Sequence, residues 1–233
     1  MKCFQLQYAE FLTVRKSAKN ERLEKISSIL TPQRKKQKKT SKRKVDLYME
    51  NTRTKWEGQN RSFKGDLRFG KLCEEVIRRF LMHYTNVDDV RDISNSKRGI
   101  KDDIDFEIVY RDGHTSTAEL KSDMQAHKTG NIAYEELSHK NPGCFARTKA
   151  DHIIYYLTET GVAYVLNPHK LRAFVAEMKA DERKAASLRV RPAKMGEGAF
   201  GYLIPIRVLL NNTDIVEATM MVGAITAEMI AAA

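Results

Sequence analysis

Residues 103–123 hold two strand-like segments separated by a tight turn, and this pairing limits the fold more than any other feature of the chain. In the first segment, apolar side chains recur at every second position (Ile104, Phe106 and Ile108), which is the period of a half-buried strand. Asp112-Gly113 then gives a strong hairpin signal. Residues 116–123 have the character of a second strand, so the sequence predicts an antiparallel hairpin.

The second strand of this hairpin contains the triplet Glu119-Leu120-Lys121. Residues two apart on a strand point to the same face, so Glu119 and Lys121 project together while Leu120 turns into the opposite layer. Asp105 lies 14 residues before Glu119, and a hairpin of that length can bring the two carboxylates level. Two carboxylates and one ammonium can hold a divalent cation and activate a water beside it.

The order of these residues resembles the PD-(D/E)XK nuclease superfamily, which includes restriction enzymes, Holliday-junction resolvases and phage recombination nucleases. In that superfamily a helix with an acidic residue precedes the hairpin, and residues 69–77 occupy that place, with Glu74 as the matching acid. The resemblance covers about residues 62–170. The chain departs from the pattern because no Pro precedes Asp105, and Asp103 is a rival for the same role.

The resemblance implies a fold, an activity and a set of roles. The fold would be α/β, with a restriction-endonuclease-like mixed central sheet flanked by helices. The activity would be metal-dependent hydrolysis of DNA phosphodiester bonds, restriction-like or of the recombination and junction type. Asp105 and Glu119 would bind Mg²⁺ or Mn²⁺ with the Leu120 carbonyl as a further ligand, Lys121 would orient the water and stabilise charge, and Glu74 would hold a second metal or a metal-bound water.

The net charge of +11 is concentrated in one tract. Residues 33–44 hold eight basic residues and no acid, so the rest of the chain carries 11 − 8 = +3. The tract predicts a solvated linker within an N-terminal helical and basic extension, residues 1–61. Such a linker can bind a nucleic-acid backbone, or it can simply be a solvated charged segment.

Basic side chains near the predicted hairpin are candidates for contacts with DNA. Residues 94–99 predict a polar loop containing Lys97 and Arg98, and residues 138–148 predict a loop with Lys140 and Arg147. Lys128 follows the Glu-x-Lys strand. These positions suit phosphate contacts, although ordinary turns also carry such residues.

Several other classes of protein are disfavoured. The six histidines form no zinc-binding pair, and the sequence contains neither a Gly-x-Ser-x-Gly elbow nor a nucleotide-binding glycine pattern. The three cysteines are far apart, which argues against a disulfide framework, and Cys73 is expected to be a buried thiol. No signal peptide or membrane-length apolar run is present, so we expect a cytoplasmic protein without membrane contact, a class that includes a phage protein in its host cell.

The remaining periodicity predicts the elements around the hairpin. We expect a domain over residues 62–210, with helices over 66–84 and 168–179 and strands over 86–92, 132–137, 150–157, 162–166 and 202–210. Residues 211–233 are expected to form a tail or helix outside that domain. Tyr155, Tyr156 and Tyr164 are expected to pack in the core or at the sheet edge, with base stacking as the alternative.

Three functions fit this sequence. The first is a DNA nuclease, the second a noncatalytic nucleic-acid-binding module, and the third a structural protein whose Glu-x-Lys is a surface ion pair. Metal-dependent cleavage separates the first from the others, and salt-sensitive binding without cleavage separates the second from the third. DNA versus RNA, the substrate structure and homodimer formation stay open.

Overall fold

The computed structural model of the protein describes residues 63–196 and 198–232. The N-terminal extension predicted over residues 1–61, including the basic tract at 33–44, lies outside the described residues.

The described part of the chain is α/β, with a mixed central sheet flanked by helices. Six described strands form this sheet in the order β1-β2-β3-β6-β7-β10. Their bounds are β1 Val87–Asp92, β2 Phe106–Tyr110, β3 Thr115–Asp123, β6 His152–Leu157, β7 Val162–Leu166 and β10 Val216–Met221. Strands β3 and β6 run parallel, and the other neighbouring pairs are antiparallel.

The predicted hairpin is confirmed as β2 and β3, with Phe106 paired to Ala118. The alternation of residues 104–110 places Ile104, Phe106 and Ile108 in the core. The turn between the strands holds Gly113 at a φ of 87°, a left-handed conformation that glycine adopts without steric cost. The sequence therefore fixes both the strand faces and the turn of this hairpin.

Helix α1, Phe63–Leu81, covers one face of the central sheet. Its apolar stripe buries Cys73 and Ile77 completely. The Cys73 thiol lies beside Ser122 of β3, and burial raises its pKa to about 11. The predicted helix and the predicted buried thiol are both confirmed, and the helix begins slightly earlier than the periodicity suggested.

The opposite face of the central sheet is covered by a second sheet and further helices. Four described strands form the second sheet in the order β5-β4-β9-β8. Their bounds are β4 Asn131–Ser138, β5 Asn141–Pro142, β8 Arg191–Gly196 and β9 Ala199–Pro205. Helices α3 (Ala126–Thr129), α4 (Cys144–Arg147), α5 (Pro168–Ala180) and α6 (Glu182–Leu188) accompany these strands.

One core joins these layers on that face. Tyr155 of β6 packs there with Phe145 of α4, and the two ring centroids lie 6.2 Å apart. The apolar face of α5 contributes Leu171, Phe174, Val175 and Met178, as the sequence predicted. The expectation that Tyr155 and Tyr156 pack in the sheet is confirmed, because both side chains are fully enclosed.

Two predicted loops contain short helices instead. Residues 97–102 form α2, Lys97–Asp102, because the Ser96 side chain accepts a hydrogen bond from the Gly99 amide and caps the helix. Residues 138–148, predicted as a loop, contain β5 and α4. Elements this short have too few turns to leave an apolar period in the sequence.

The chain after residue 198 also differs from the prediction. The strand expected over residues 202–210 ends at Pro205, and Ile206–Leu210 forms helix α7. Residues 211–233 were expected to lie outside the domain, yet β10 pairs with β7 and completes the central sheet, so the boundary at residue 210 was placed too early. Helix α8, Ala227–Ala232, follows. Of the helices described, none combines the length and the apolar character needed to cross a bilayer.

Candidate active site

Asp105 and Glu119 meet at the open end of the β2–β3 hairpin. Phe106 pairs with Ala118, so extending the register by one residue sets Asp105 directly opposite Glu119. The Asp105 amide donates to the Ala118 carbonyl at 3.0 Å, and the Asp105 Oδ2 accepts a hydrogen bond from the Leu120 amide at 2.8 Å. The two carboxyl groups also hydrogen-bond to each other. The structure therefore brings together the first two predicted metal ligands.

Helix α2 ends three residues before Asp105 and leads into the start of the hairpin. The Asp105 carbonyl accepts a hydrogen bond from the Ile93 amide at 2.8 Å, which ties the entry of β2 to the end of β1. A Cβ at Gly99 would lie 2.0 Å from the Ile93 carbonyl oxygen and 2.8 Å from that of Ile104. Only glycine fits this approach, so Gly99 sets how closely α2 packs against the start of the hairpin.

The carboxyl pair is buried and resists ionisation. Only 7% of Glu119 is exposed. Burial, reinforced by Asp105 and Asp103, raises the pKa of Glu119 to about 9, while Lys121 opposes this shift. Burial also raises the pKa of Asp105, against the Leu120 amide and Lys121. At neutral pH the pair therefore retains a proton, which Glu119 shares with Asp105.

Lys121 lies on the same face as Glu119, as the strand period predicted. Its ammonium group reaches the thiol of Cys144 in α4 and feels the charges of Glu119 and Glu135. Burial alone would lower the pKa of Lys121, but these neighbours raise it, so the side chain stays protonated. Burial raises the pKa of Cys144 to about 12, so its thiol is neutral. A fixed positive charge thus stands beside the carboxyl pair.

Glu74 approaches the pair from α1. Its Oε2 accepts a hydrogen bond from the Lys71 ammonium at 2.5 Å, and Lys71 also donates to Ser94 at 2.8 Å. Burial raises the pKa of Glu74 despite Lys71, and the charge of Asp105 adds to that shift. Glu74 is therefore close enough to Asp105 to influence its charge, and its direct partner is Lys71.

Asp103, the rival of Asp105, faces another cation. It ends α2 in a left-handed conformation with a φ of 57°, and its Oδ1 pairs with the Arg147 guanidinium at 2.5 Å. The carboxyl group that hydrogen-bonds with Glu119 belongs to Asp105. Asp103 still contributes charge near Glu119, and its Oδ2 is buried without a hydrogen-bond partner.

The five basic residues predicted to contact DNA differ in their surroundings. Arg98 pairs with Glu107 at 3.1 Å, and Arg147 pairs with Asp103. Lys97 is exposed at the start of α2, and Lys140 is exposed in the turn before β5. Lys128 is exposed in α3. Arg98 and Arg147 are therefore partly neutralised by acidic neighbours.

Two residues that support the site, Lys71 and Tyr155, were not predicted from the sequence. Lys71 stands three residues before Glu74 on α1, a spacing that places the two side chains on one helix face and could have indicated the pair. Tyr155 donates a hydrogen bond to Asp123 and accepts one from the Ala133 amide at 3.0 Å. This second link joins β3, β6 and β4, and no local pattern in the sequence indicates it.

The residues present fit a magnesium-type cation that is bound through few protein ligands. Across residues 63–196 and 198–232, no group of three or more His, Cys, Asp or Glu side chains is arranged to hold a metal ion. Mg²⁺ commonly uses only one or two carboxylates and keeps water and phosphate as its other ligands. Asp105 and Glu119 supply two carboxyl groups whose shared proton a cation would displace.

Comparison with known proteins adds no relative. No family model matches the chain, and neither a curated protein nor a solved structure does.

Proposed function

We propose that this protein is a metal-dependent DNA endonuclease with a restriction-endonuclease-like fold. The observation that carries the proposal is the buried pairing of Asp105 with Glu119 next to the protonated Lys121. The mixed central sheet and the preceding helix with Glu74 support it, because they follow the order expected from the resemblance. A surface ion pair does not require two carboxyl groups to be buried against each other, so the structural-protein hypothesis accounts less well for this site.

In the proposed mechanism, Asp105 and Glu119 would hold Mg²⁺ or Mn²⁺, with the Leu120 carbonyl as a further ligand. When bound, the cation supplies Lewis-acid stabilisation of the scissile phosphate and lowers the pKa of a coordinated water. Glu119 would release its proton to solvent on binding the cation, and the Leu120 amide holds Asp105 in place. Lys121 orients the attacking water and stabilises negative charge on the phosphorus centre. Glu74, held by Lys71, accepts a hydrogen bond from water at the edge of the site.

The test is a cleavage assay on linear duplex, branched and single-stranded DNA, each with Mg²⁺ and with EDTA. We expect cleavage only in the presence of the cation. The substrate that is cleaved fastest will show whether the protein acts on linear duplexes or on branched junctions. A single-stranded RNA of the same sequence shows whether cleavage requires deoxyribose.

Absence of cleavage on every substrate, together with salt-sensitive DNA binding, would contradict the nuclease proposal and favour a noncatalytic binding module. Absence of both would favour a structural protein.

A further inference from the structure

A large open cavity lies between the two sheets and is separate from the carboxyl pair. Its volume is about 1280 Å³, and it is lined by residues of α3, β4, β6, β7, α5, α6, β8, β9 and α7. Leu157, Met178 and Val190 line it with apolar, buried side chains. Ligand pockets commonly have volumes of roughly 300–1000 Å³, so this space exceeds the need of one small molecule.

Positive charge dominates the lining of the cavity. Lys179, Arg189, Arg191 and Arg207 face one acidic residue, Glu182, which gives 4 − 1 = +3. Lys179 is already paired with Glu136 at 2.6 Å. The three arginines form no ion pair with any residue in the described part of the chain. Arg98 and Arg147, which were predicted to contact DNA, do have acidic partners.

Aromatic and imidazole groups accompany these arginines. Tyr164 of β7 and Tyr202 of β9 are half-buried and line the cavity, so each keeps part of its ring accessible. His127 of α3 also lines it, and its Nδ1 is buried without a hydrogen-bond partner. Arginines that neutralise phosphates, combined with rings on which bases stack, are the elements of a site for single-stranded nucleic acid.

The cavity begins just beyond the end of the strand that carries the proposed catalytic residues. Glu119 and Lys121 belong to β3, which ends at Asp123, and the lining begins at Ala126 just beyond that end. At about 3.3 Å per residue, Asp123 is roughly 13 Å from Glu119 along the strand. A nucleic-acid strand that leaves the carboxyl pair in this direction would reach the arginines within a few nucleotides.

We propose that this cavity binds a short single-stranded segment of nucleic acid, with bases against Tyr164 and Tyr202 and phosphates against Arg189, Arg191 and Arg207. This inference deepens the proposed nuclease function. It rests on that function for the direction in which the nucleic-acid strand runs from the carboxyl pair to the cavity. Binding to the cavity, however, does not require cleavage and can be measured without a divalent cation.

The first test uses fluorescence anisotropy with a labelled oligothymidylate and the full chain in EDTA. The double variant Arg191→Ala/Arg207→Ala should weaken binding by at least about 10-fold. It should also reduce the slope of log Kd against log salt by about 1.4, because each lost contact to a single strand removes about 0.7. The control Lys170→Ala/Arg183→Ala removes the same charge from exposed positions that do not line the cavity.

The second test examines stacking by matched substitutions of one ring. Tyr202→Phe should bind the oligothymidylate like the wild type, whereas Tyr202→Leu keeps apolar bulk without a ring and should lose about 5-fold or more. Thermal unfolding of both variants checks that the fold persists. If Tyr202→Leu fails to fold, the arginine variants still test binding to the cavity, because their substituted side chains are exposed.

Crosslinking of an oligonucleotide that carries 4-thiothymidine locates the bound strand. We expect crosslinked peptides that contain Tyr164 or Tyr202, and no competition by thymidine monophosphate at equal nucleotide concentration. Equal losses in the cavity and control double variants, or crosslinks confined to residues 33–44, would overturn the inference. Equal competition by the mononucleotide would overturn it in favour of a free nucleotide.

Failure of this inference can be distinguished from failure of the proposed function. If the cavity is wrong but the nuclease is right, cleavage persists while the arginine variants bind like their control. If the nuclease is wrong but the cavity is right, the arginine effect in EDTA appears without any cleavage.

Discussion

At the scale of single residues, Glu119 is a buried carboxyl group of the candidate site whose pKa is strongly raised. Burial and Asp105 raise its pKa to about 9, far above its ordinary value of 4.5. Between pH 4.5 and about pH 9, Glu119 is therefore protonated in the folded protein and ionised in the unfolded chain. The contribution of Glu119 to folding stability is then fully present below about pH 4.5 and is lost as the pH rises toward 9.

This shift predicts a pH-dependent response to the cation. In the proposed site Mg²⁺ would compete with the Glu119 proton, so the increase in Tm on adding Mg²⁺ should be larger at pH 9 than at pH 6.5. Glu119→Gln cannot ionise and should show a small increase that is the same at both pH values. Differential scanning fluorimetry measures this, and a wild-type response independent of pH would contradict the role of Glu119 as a ligand.

Lys121 provides a second test at this scale. Lys121→Ala should reduce the rate of DNA cleavage by about 100-fold or more, the range seen when a charge stabiliser is removed from a reaction centre. DNA binding should stay near the wild-type level, because one lysine is a small share of the backbone contacts. Lys101→Ala, an exposed charge on α2, is the control, and normal turnover by Lys121→Ala would favour a surface ion pair.

At the scale of elements, α1 both completes the core and presents Glu74. Cys73 and Ile77 are fully buried on the face of α1 that meets the sheet. Lys71 and Glu74 occupy the side of the helix that faces Asp92 and Asp105. The packing of α1 therefore sets the position of Glu74 relative to the carboxyl pair.

Truncation of the buried face of α1 should be costly. Ile77→Ala should lower the free energy of unfolding by about 2–5 kcal/mol, because it removes buried methyl groups and leaves a cavity. Leu67→Ala, where the side chain is 56% exposed, should change it by no more than about 0.5 kcal/mol. Urea denaturation measures both, and equal losses would show that α1 does not pack as described.

The hairpin could be predicted because its information is local. Alternation, the Asp-Gly turn and the 14-residue spacing lie within residues 103–123, and these features bring Asp105, Glu119 and Lys121 together. Helix α2 was missed because one side-chain cap at Ser96 creates it, and not an apolar period. The partners of β4 and β10 depend on pairing with β9 and β7, which is specified by the folded chain as a whole.

At the scale of the whole molecule, the most basic segment and the proposed catalytic residues lie in different parts of the sequence. The tract at residues 33–44 holds eight of the basic residues, whereas the proposed catalytic residues Glu74, Asp105, Glu119 and Lys121 all lie later in the chain. Within the described residues, Arg189, Arg191 and Arg207 form no ion pair, and all three line the cavity between the sheets. Binding strength and catalysis should therefore respond to different substitutions.

Deletion of residues 33–44 tests this separation. It should weaken duplex DNA binding and flatten its salt dependence, since each phosphate contact contributes a slope of about 0.9. Cleavage at saturating substrate should survive, because no proposed catalytic residue lies in the tract. Anisotropy titrations over a range of salt concentrations measure the slope, and an unchanged slope would indicate that the tract has another partner, such as an acidic protein.

The most direct test of the central claim compares DNA cleavage in Mg²⁺ by Asp105→Asn, Glu119→Gln and the control Asp103→Asn. All three substitutions preserve side-chain size, and circular dichroism confirms folding. We predict that Asp105→Asn and Glu119→Gln abolish cleavage, because each removes a metal-binding carboxylate, while Asp103→Asn still cuts. Wild-type cleavage by both Asp105→Asn and Glu119→Gln, or loss only in Asp103→Asn, would contradict the assignment of the carboxyl pair as the metal site.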